Sequence, residues 1–347
     1  MIRVAEKNVY GDNLRPETSI VPELLEAGIR LRQELARDGV QMRTFAEWGT
    51  EIPQAAVFWD CPRMDDPDLQ KCVHHQIPFL LVVAENLHLQ PHPTYGQIKA
   101  LAHRILTYQQ DETDQKKIFW LPYGLNLDGG RRFRHSVENS PRPYLLGMIN
   151  AWKKSEMPGD LYARRNRIAI EAGKILGPRM FLAGPGWGRP LVYTQKWQRS
   201  LAKRCPSLMR WLTGWPNQAY RGPLPLGDAK LPALAQCEFA LVPENCSSLA
   251  GYITEKIFNA LFAGCIPIYE GHPGSSRWLP PEIFIPMNQF AHGAALANFL
   301  QSMPQEKKEG LRRSGKRFLE ERQTSQFDVG SWVATIKGQI LALKKGS

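Results

Sequence analysis

The stretch EFALVPENCSSLAGYITEKIFNALFAGCIPIYEG, Glu238 to Gly271, decides how this chain folds. It opens on an apolar run that reads as a buried strand, crosses a polar loop, and closes on a second short apolar run, CIPIYEG. In between, Thr254 stands where a cap is needed for a helix beginning at Glu255. Ile257, Phe258 and Leu261 supply that helix with an apolar face, and Gly264 suits the left-handed turn after its last residue. Strand, helix, strand is the repeating unit of a parallel sheet covered by helices. The amino end of such a helix lies at the carboxyl edge of the sheet, where open α/β folds bind ligands. Free N–H groups and the helix dipole make that end attractive to phosphate.

The same alternation extends in both directions. Upstream, PELLEAGIRLRQELARDGV (Pro22 to Val40) has helical spacing, and AAVFWD, PFLLVVAE, RILTYQ and KIFWLPYG are short apolar runs of strand length. An interval rich in Gly, Pro, Arg and Ser, Gly124 to Pro143, reads as a loop or linker and sets a domain boundary. Beyond it, YLLGMINA, DLYARRNRIAIEAGKIL and RMFLAG restart the pattern, and the tail from Pro304 reads as two basic amphipathic helices. The expected division is therefore 1–140, 141–303 and 304–347, with two successive α/β units and a cleft between them.

Bulk composition fits a folded chain of two domains: 347 residues, 43% hydrophobic and 22% charged. There is no apolar run of about 18 residues, and the amino terminus is charged where a secretory signal is apolar, so a cytoplasmic location is expected. Six cysteines without a CxxC pair read as reduced, mostly core residues. The net charge of +11 calls for an acidic partner, which composition leaves open among nucleic acid, an anionic bilayer and a phosphorylated small molecule.

On the Thr-Glu-Lys helix, Lys256 is expected to bring a mobile positive charge to a diphosphate, and Glu255 an acceptor for sugar hydroxyls. The whole stretch from Glu238 to Gly271 resembles the donor-binding motif of family 10 glycosyltransferases, the α-1,3/1,4-fucosyltransferases. The likeness runs from about residue 75 to 300 and takes in EIFIPMNQF (Glu282 to Phe290) and RILTYQQDETDQKKIFWLPYG. It implies an α/β protein of GT-B type, two Rossmann-like domains facing a central cleft, the first on the acceptor side and the second binding the donor. It also implies transfer of L-fucose from GDP-β-L-fucose to a glycan with inversion.

Residue by residue, the resemblance assigns donor binding to Arg165, Asn245, Tyr252, Glu255 and Lys256. Arg164 and Arg167 are rivals of Arg165, since a shift of one residue changes which side chain points inward. Guanidinium suits the role, being permanently charged and able to grip two phosphate oxygens. Glu85, at the end of an apolar strand, corresponds to the general base. No metal is expected, because cationic side chains and the helix end do the electrostatic work. Four histidines lie close in sequence, but Pro91 and Pro93 keep His88 and His92 off one helical face. Those two are expected on the acceptor side rather than on a metal.

LAGPGWGRP (Leu182 to Pro190) could cradle the donor or merely turn. The segment Thr194 to Trp215, with three tryptophans and no acid, suits an interfacial helix on the inner face of a membrane, with a lipid-linked or lipopolysaccharide acceptor; a helix packed on the core with a basic outer face and an acceptor-recognition insertion are the competing readings. The alternatives are a GT-B enzyme using another nucleotide sugar and a non-catalytic basic protein binding membrane or nucleic acid. The dispersed basic residues disfavour a nucleic-acid partner.

Overall fold

The computed structural model describes residues 2–8, 22–83, 92–187, 204–205, 219–222 and 229–343. They form two compact units. The first comprises Met1–Leu127, Leu249–Ile253 and Ser325–Ser347, and the second Asp128–Ser248 and Thr254–Thr324.

In chain order the first unit has β1 (Ile2–Asn8), α1 (Pro22–Arg37), β2 (Val40–Thr44), α2 (Phe45–Trp48), β3 (Ala55–Trp59), α3 (Pro67–His74), β4 (Phe79–Val83), α4 (Tyr95–Leu101), β5 (Arg104–Thr107) and β6 (Ile118–Trp120). The strands make one parallel sheet in the order β2-β1-β3-β4-β5-β6. Every residue of β4 is buried, as a central strand covered on both faces requires. Strands β1 and β2 escape the sequence reading, which starts with a helix. Their charged residues mask the apolar pattern: Glu6 in β1 is buried because Arg32 of α1 and the Trp59 indole N–H, 3.1 Å away, bind its carboxylate.

The second unit continues with α5 (Leu127–Ser136), β7 (Tyr144–Ile149), α6 (Tyr162–Leu176), β8 (Met180–Ala183), α7 (Lys230–Ala235), β9 (Cys237–Leu241), α8 (Glu255–Phe262), β10 (Ile266–Tyr269), β11 (Ile285–Pro286), α9 (Gly293–Ser302) and α10 (Gln305–Glu320). Its sheet is also parallel, ordered β11-β10-β9-β7-β8. Strands β9 and β10 flank α8 in sequence, so the start of α8 lies at the carboxyl edge of this sheet, as the spacing predicts. The helix is capped at both ends: Thr254 accepts from the Lys256 N–H, and Arg142 Nη2 donates to the Ala263 carbonyl at 3.0 Å.

Two expectations change. The interval read as a linker contains α5, and Gly130 there serves packing rather than a turn, since a Cβ on it would sit 2.4 Å from the Phe262 ring. The units therefore divide at Leu127 and Asp128 instead of near residue 140. Nor do the last helices form one segment. Helix α10 packs on the second unit, with Gly315 against Leu261, whereas α11 (Val329–Ala342) returns to the first and buries Trp332, Val333, Ile336 and Ile340 with Leu31 and Leu35 of α1.

Five of the six cysteines are buried. Among the described residues no helix is long and apolar enough to cross a membrane.

Candidate active site

The site is built around the start of α8. Glu244, three residues beyond β9, is fully buried, and its amide donates to the Glu270 carbonyl just past β10. Its carboxylate collects four donors. Oε1 accepts from the Thr254 N–H at 2.9 Å and from the Tyr269 hydroxyl at 3.3 Å, while Oε2 accepts from Thr254 Oγ1 at 2.8 Å and Lys256 Nζ at 3.1 Å. Lys256 Nζ also donates to Thr254 Oγ1 at 3.2 Å, and its side chain is only 9% exposed. The lysine expected as a mobile cation is instead held in a buried ion pair.

Glu255, beside it, is paired with Lys230 of α7 at 3.2 Å. Burial pushes the Glu255 carboxyl up, but Lys230, Lys256 and the Lys230 hydrogen bond outweigh that and bring it down to about 2. An ionised carboxylate at the first helical position also agrees with the helix dipole.

Helix α6 supplies the second cation. Of the three candidate arginines, Arg165 is the one turned inward: it is 2% exposed, donates to Asn245 Oδ1 at 3.3 Å and to the Ala151 carbonyl at 2.8 Å, and lies over the Tyr162 ring. Arg164 pairs with Glu270 at 3.1 Å, where burial raises the Glu270 carboxyl and Arg164 partly offsets it. Arg167 is exposed on the helix surface. Asn245 is fixed by its carbonyl, which accepts from the Leu161 N–H at 2.9 Å. Arg165, Asn245 and Lys256 are thus joined in the second unit through the dipeptide Glu244-Asn245, while Glu255 is held by Lys230.

Tyr252 belongs to the first unit, where it is buried with its ring 5.0 Å from that of Tyr108. The neighbouring Gly251 has φ +80°, and a Cβ there would sit 2.8 Å from the Tyr108 carbonyl, so only glycine fits. The glycine-rich turn after β8 has a similar cause: Gly184 has φ +129° and abuts the Asn150 carbonyl, to which the buried Trp187 indole donates at 2.6 Å.

Glu85, His88 and the proposed membrane segment Thr194 to Trp215 lie outside the described residues, apart from Arg204 and Cys205. His92 is half-buried, with Nδ1 3.1 Å from the Thr94 hydroxyl. Among the described residues no group of three His, Cys, Asp or Glu stands close enough to hold a metal ion. Glu244, Lys230 and Glu270 received no role from sequence reasoning. The Pro-Glu-Asn ending of the strand marks Glu244 but not its partners.

Comparison with known proteins bears directly on this segment. Residues 226–314 match the model of Glycosyltransferase family 10 (fucosyltransferase) C-term. The family 10 resemblance holds. Mouse alpha-(1,3)-fucosyltransferase 7 is 40% identical over 84 residues, 23% of this chain and 21% of the relative. Chicken GDP-fucose protein O-fucosyltransferase 3 is 34% identical over 94 residues, 26% and 20% of the two chains. The chain thus spans about a fifth of the length of these curated relatives.

Solved structures extend the likeness to the whole fold. An alpha1,3-fucosyltransferase aligns with TM-score 0.53 at 12% identity, covering 98% of this chain and 90% of the other. Anabaena HepE in complex with UDP-glucose aligns with TM-score 0.59 at 12% identity, covering 99% and 100%. The fold is that of the GT-B glycosyltransferases, and the family 10 segment within it contains Asn245, Tyr252, Glu255 and Lys256.

Proposed function

We propose that this protein is an inverting fucosyltransferase that moves L-fucose from GDP-β-L-fucose to a hydroxyl of a glycan. The observation that carries this reading is the anchored start of α8, where Thr254, Lys256 and Glu244 lock together inside the segment that matches family 10. A helix end at the carboxyl edge of a parallel sheet, with a buried lysine on it and an arginine linked through Asn245, suits a pyrophosphate.

In the reaction Glu85 takes the proton of the acceptor hydroxyl as its oxygen forms the new bond to C1 of fucose. The bond from C1 to the diphosphate breaks, and its electron pair leaves on GDP. Arg165, Lys256 and the amino end of α8 stabilise that added charge. Attack from the face opposite the leaving group turns the β-linked donor into an α-linked product.

A second nucleotide sugar is the alternative with support, since the fold is shared with a protein solved with UDP-glucose. Grip on a diphosphate is common to all such donors. A purely polyanion-binding role is disfavoured by the family 10 match. The composition of Thr194 to Trp215 supports a lipid-linked or lipopolysaccharide acceptor reached from the cytoplasmic face of a membrane.

Turnover of GDP-fucose, GDP-mannose and UDP-glucose in chelator-containing buffer, by wild type, Glu85→Gln and Lys256→Ala, tests the assignment. Wild type is expected to prefer GDP-fucose, Glu85→Gln to bind GDP but lose transfer by about a hundredfold or more, and Lys256→Ala to bind GDP more weakly. Two variants indistinguishable from wild type would remove these roles.

A further inference from the structure

We propose that Glu244 is a positioning residue for the donor diphosphate, acting through Lys256 and never touching the ligand itself; this rests on the donor reading above. The carboxylate has no exposed surface, and its four partners occupy the four lone-pair directions a carboxylate offers. Nothing is left on it for a ligand to bind. Its effect must pass through the groups it holds.

Those groups are the cap of α8 and the ammonium of Lys256. An ammonium has three N–H donors, of which Glu244 Oε2 and Thr254 Oγ1 each take one, so one remains for a phosphate oxygen. A surface lysine samples many rotamers, whereas this one is fixed before any ligand arrives. The same carboxylate accepts from the Thr254 N–H, so the lysine and the helix end are set by a single anchor. Because a charge taken out of water needs a partner, the acid also makes it possible to bury the lysine at all.

A competing effect has the opposite sign. Glu244 carries a negative charge, and deleting it without moving Lys256 would strengthen phosphate binding. Glu244→Gln separates the two, because whichever way the amide sits its NH2 presents a donor to another donor, either the Lys256 ammonium or the Thr254 N–H, and so loosens the anchor. If position dominates, GDP binds more weakly; if charge dominates, GDP binds more tightly.

The test measures dissociation constants of GDP and guanosine for wild type, Glu244→Gln, Glu244→Asp, Lys256→Met and Glu244→Gln/Lys256→Met, with melting curves for each. Glu244→Gln is expected to weaken GDP about tenfold and to leave guanosine within about twofold. Placed on Lys256→Met, the same change is expected to alter GDP binding less than about twofold, since the group it acts through is gone. Glu244→Asp keeps the charge but withdraws it by one methylene. It is expected to show the same loss, and it decides the matter should Glu244→Gln fail to fold.

Equal losses for GDP and guanosine, tighter GDP binding, or an undiminished effect on Lys256→Met would each overturn the role of Glu244. Wild type that does not bind GDP would instead remove the donor reading beneath it.

Discussion

At the scale of single residues, the site joins two kinds of charge pair. Glu244 and Lys256 are both buried, and a buried pair adds little net stability while the loss of one partner costs about 3–5 kcal/mol. Glu255 and Lys230 are each a quarter exposed, and the carboxyl is held down to about 2 against an ordinary value of 4.5. A depressed carboxylate contributes stability that is present above its unfolded value and lost as pH falls through its folded value. For Glu255 the window runs from about pH 4.5 down to about 2. Glu255→Gln should therefore destabilise the protein at pH 7 by on the order of 2 kcal/mol, after allowance for partial exposure. Urea unfolding of both proteins across this window should show the gap closing toward acid; a gap independent of pH would rule out the ion pair as its source.

At the scale of elements, identical residue types serve opposite ends. Gly130 in α5 lies against Phe262 with no room for a Cβ, whereas Gly310 in α10 has nothing within 4 Å of one. Alanine gains about 1 kcal/mol over glycine in a helix interior, while forcing a methyl into a packed core costs about 1–3 kcal/mol. Gly310→Ala is thus expected to stabilise by roughly 0.5–1 kcal/mol, and Gly130→Ala to destabilise by about the same amount or more. Equilibrium unfolding of the two variants would show shifts of opposite sign. Two stabilised variants would mean that α5 does not pack on α8 as described.

At the scale of the whole molecule, a ligand that binds only the folded chain raises its stability by mass action. GDP at a hundred times its dissociation constant should add about 2.7 kcal/mol, and UDP at the same concentration should add less. Differential scanning calorimetry reads both, and equal shifts from the two nucleotides would favour the broader nucleotide-sugar reading. Molecular scale is also where donor choice must be settled, because folds at 12% identity with this chain include both a fucosyltransferase and a protein solved with UDP-glucose.

The sequence by itself determined the parallel α/β architecture of both units, the start of α8 at Glu255 and the arginine helix α6, because apolar periodicity and capping residues are local signals. Tertiary structure decided what those signals do not encode. Strand β1 lies inside the sheet, between β2 and β3, although charged, because Arg32 and Trp59 neutralise and bind Glu6 from other elements. Helix α5 lies where Gly and Arg suggest a linker, because its glycine makes room for Phe262. Lys256 is buried rather than mobile, because β9 and β10 bring Glu244 and Tyr269 together at one sheet edge. Each depends on contacts between residues far apart in the chain, whose chemistry becomes visible only when the fold makes them neighbours.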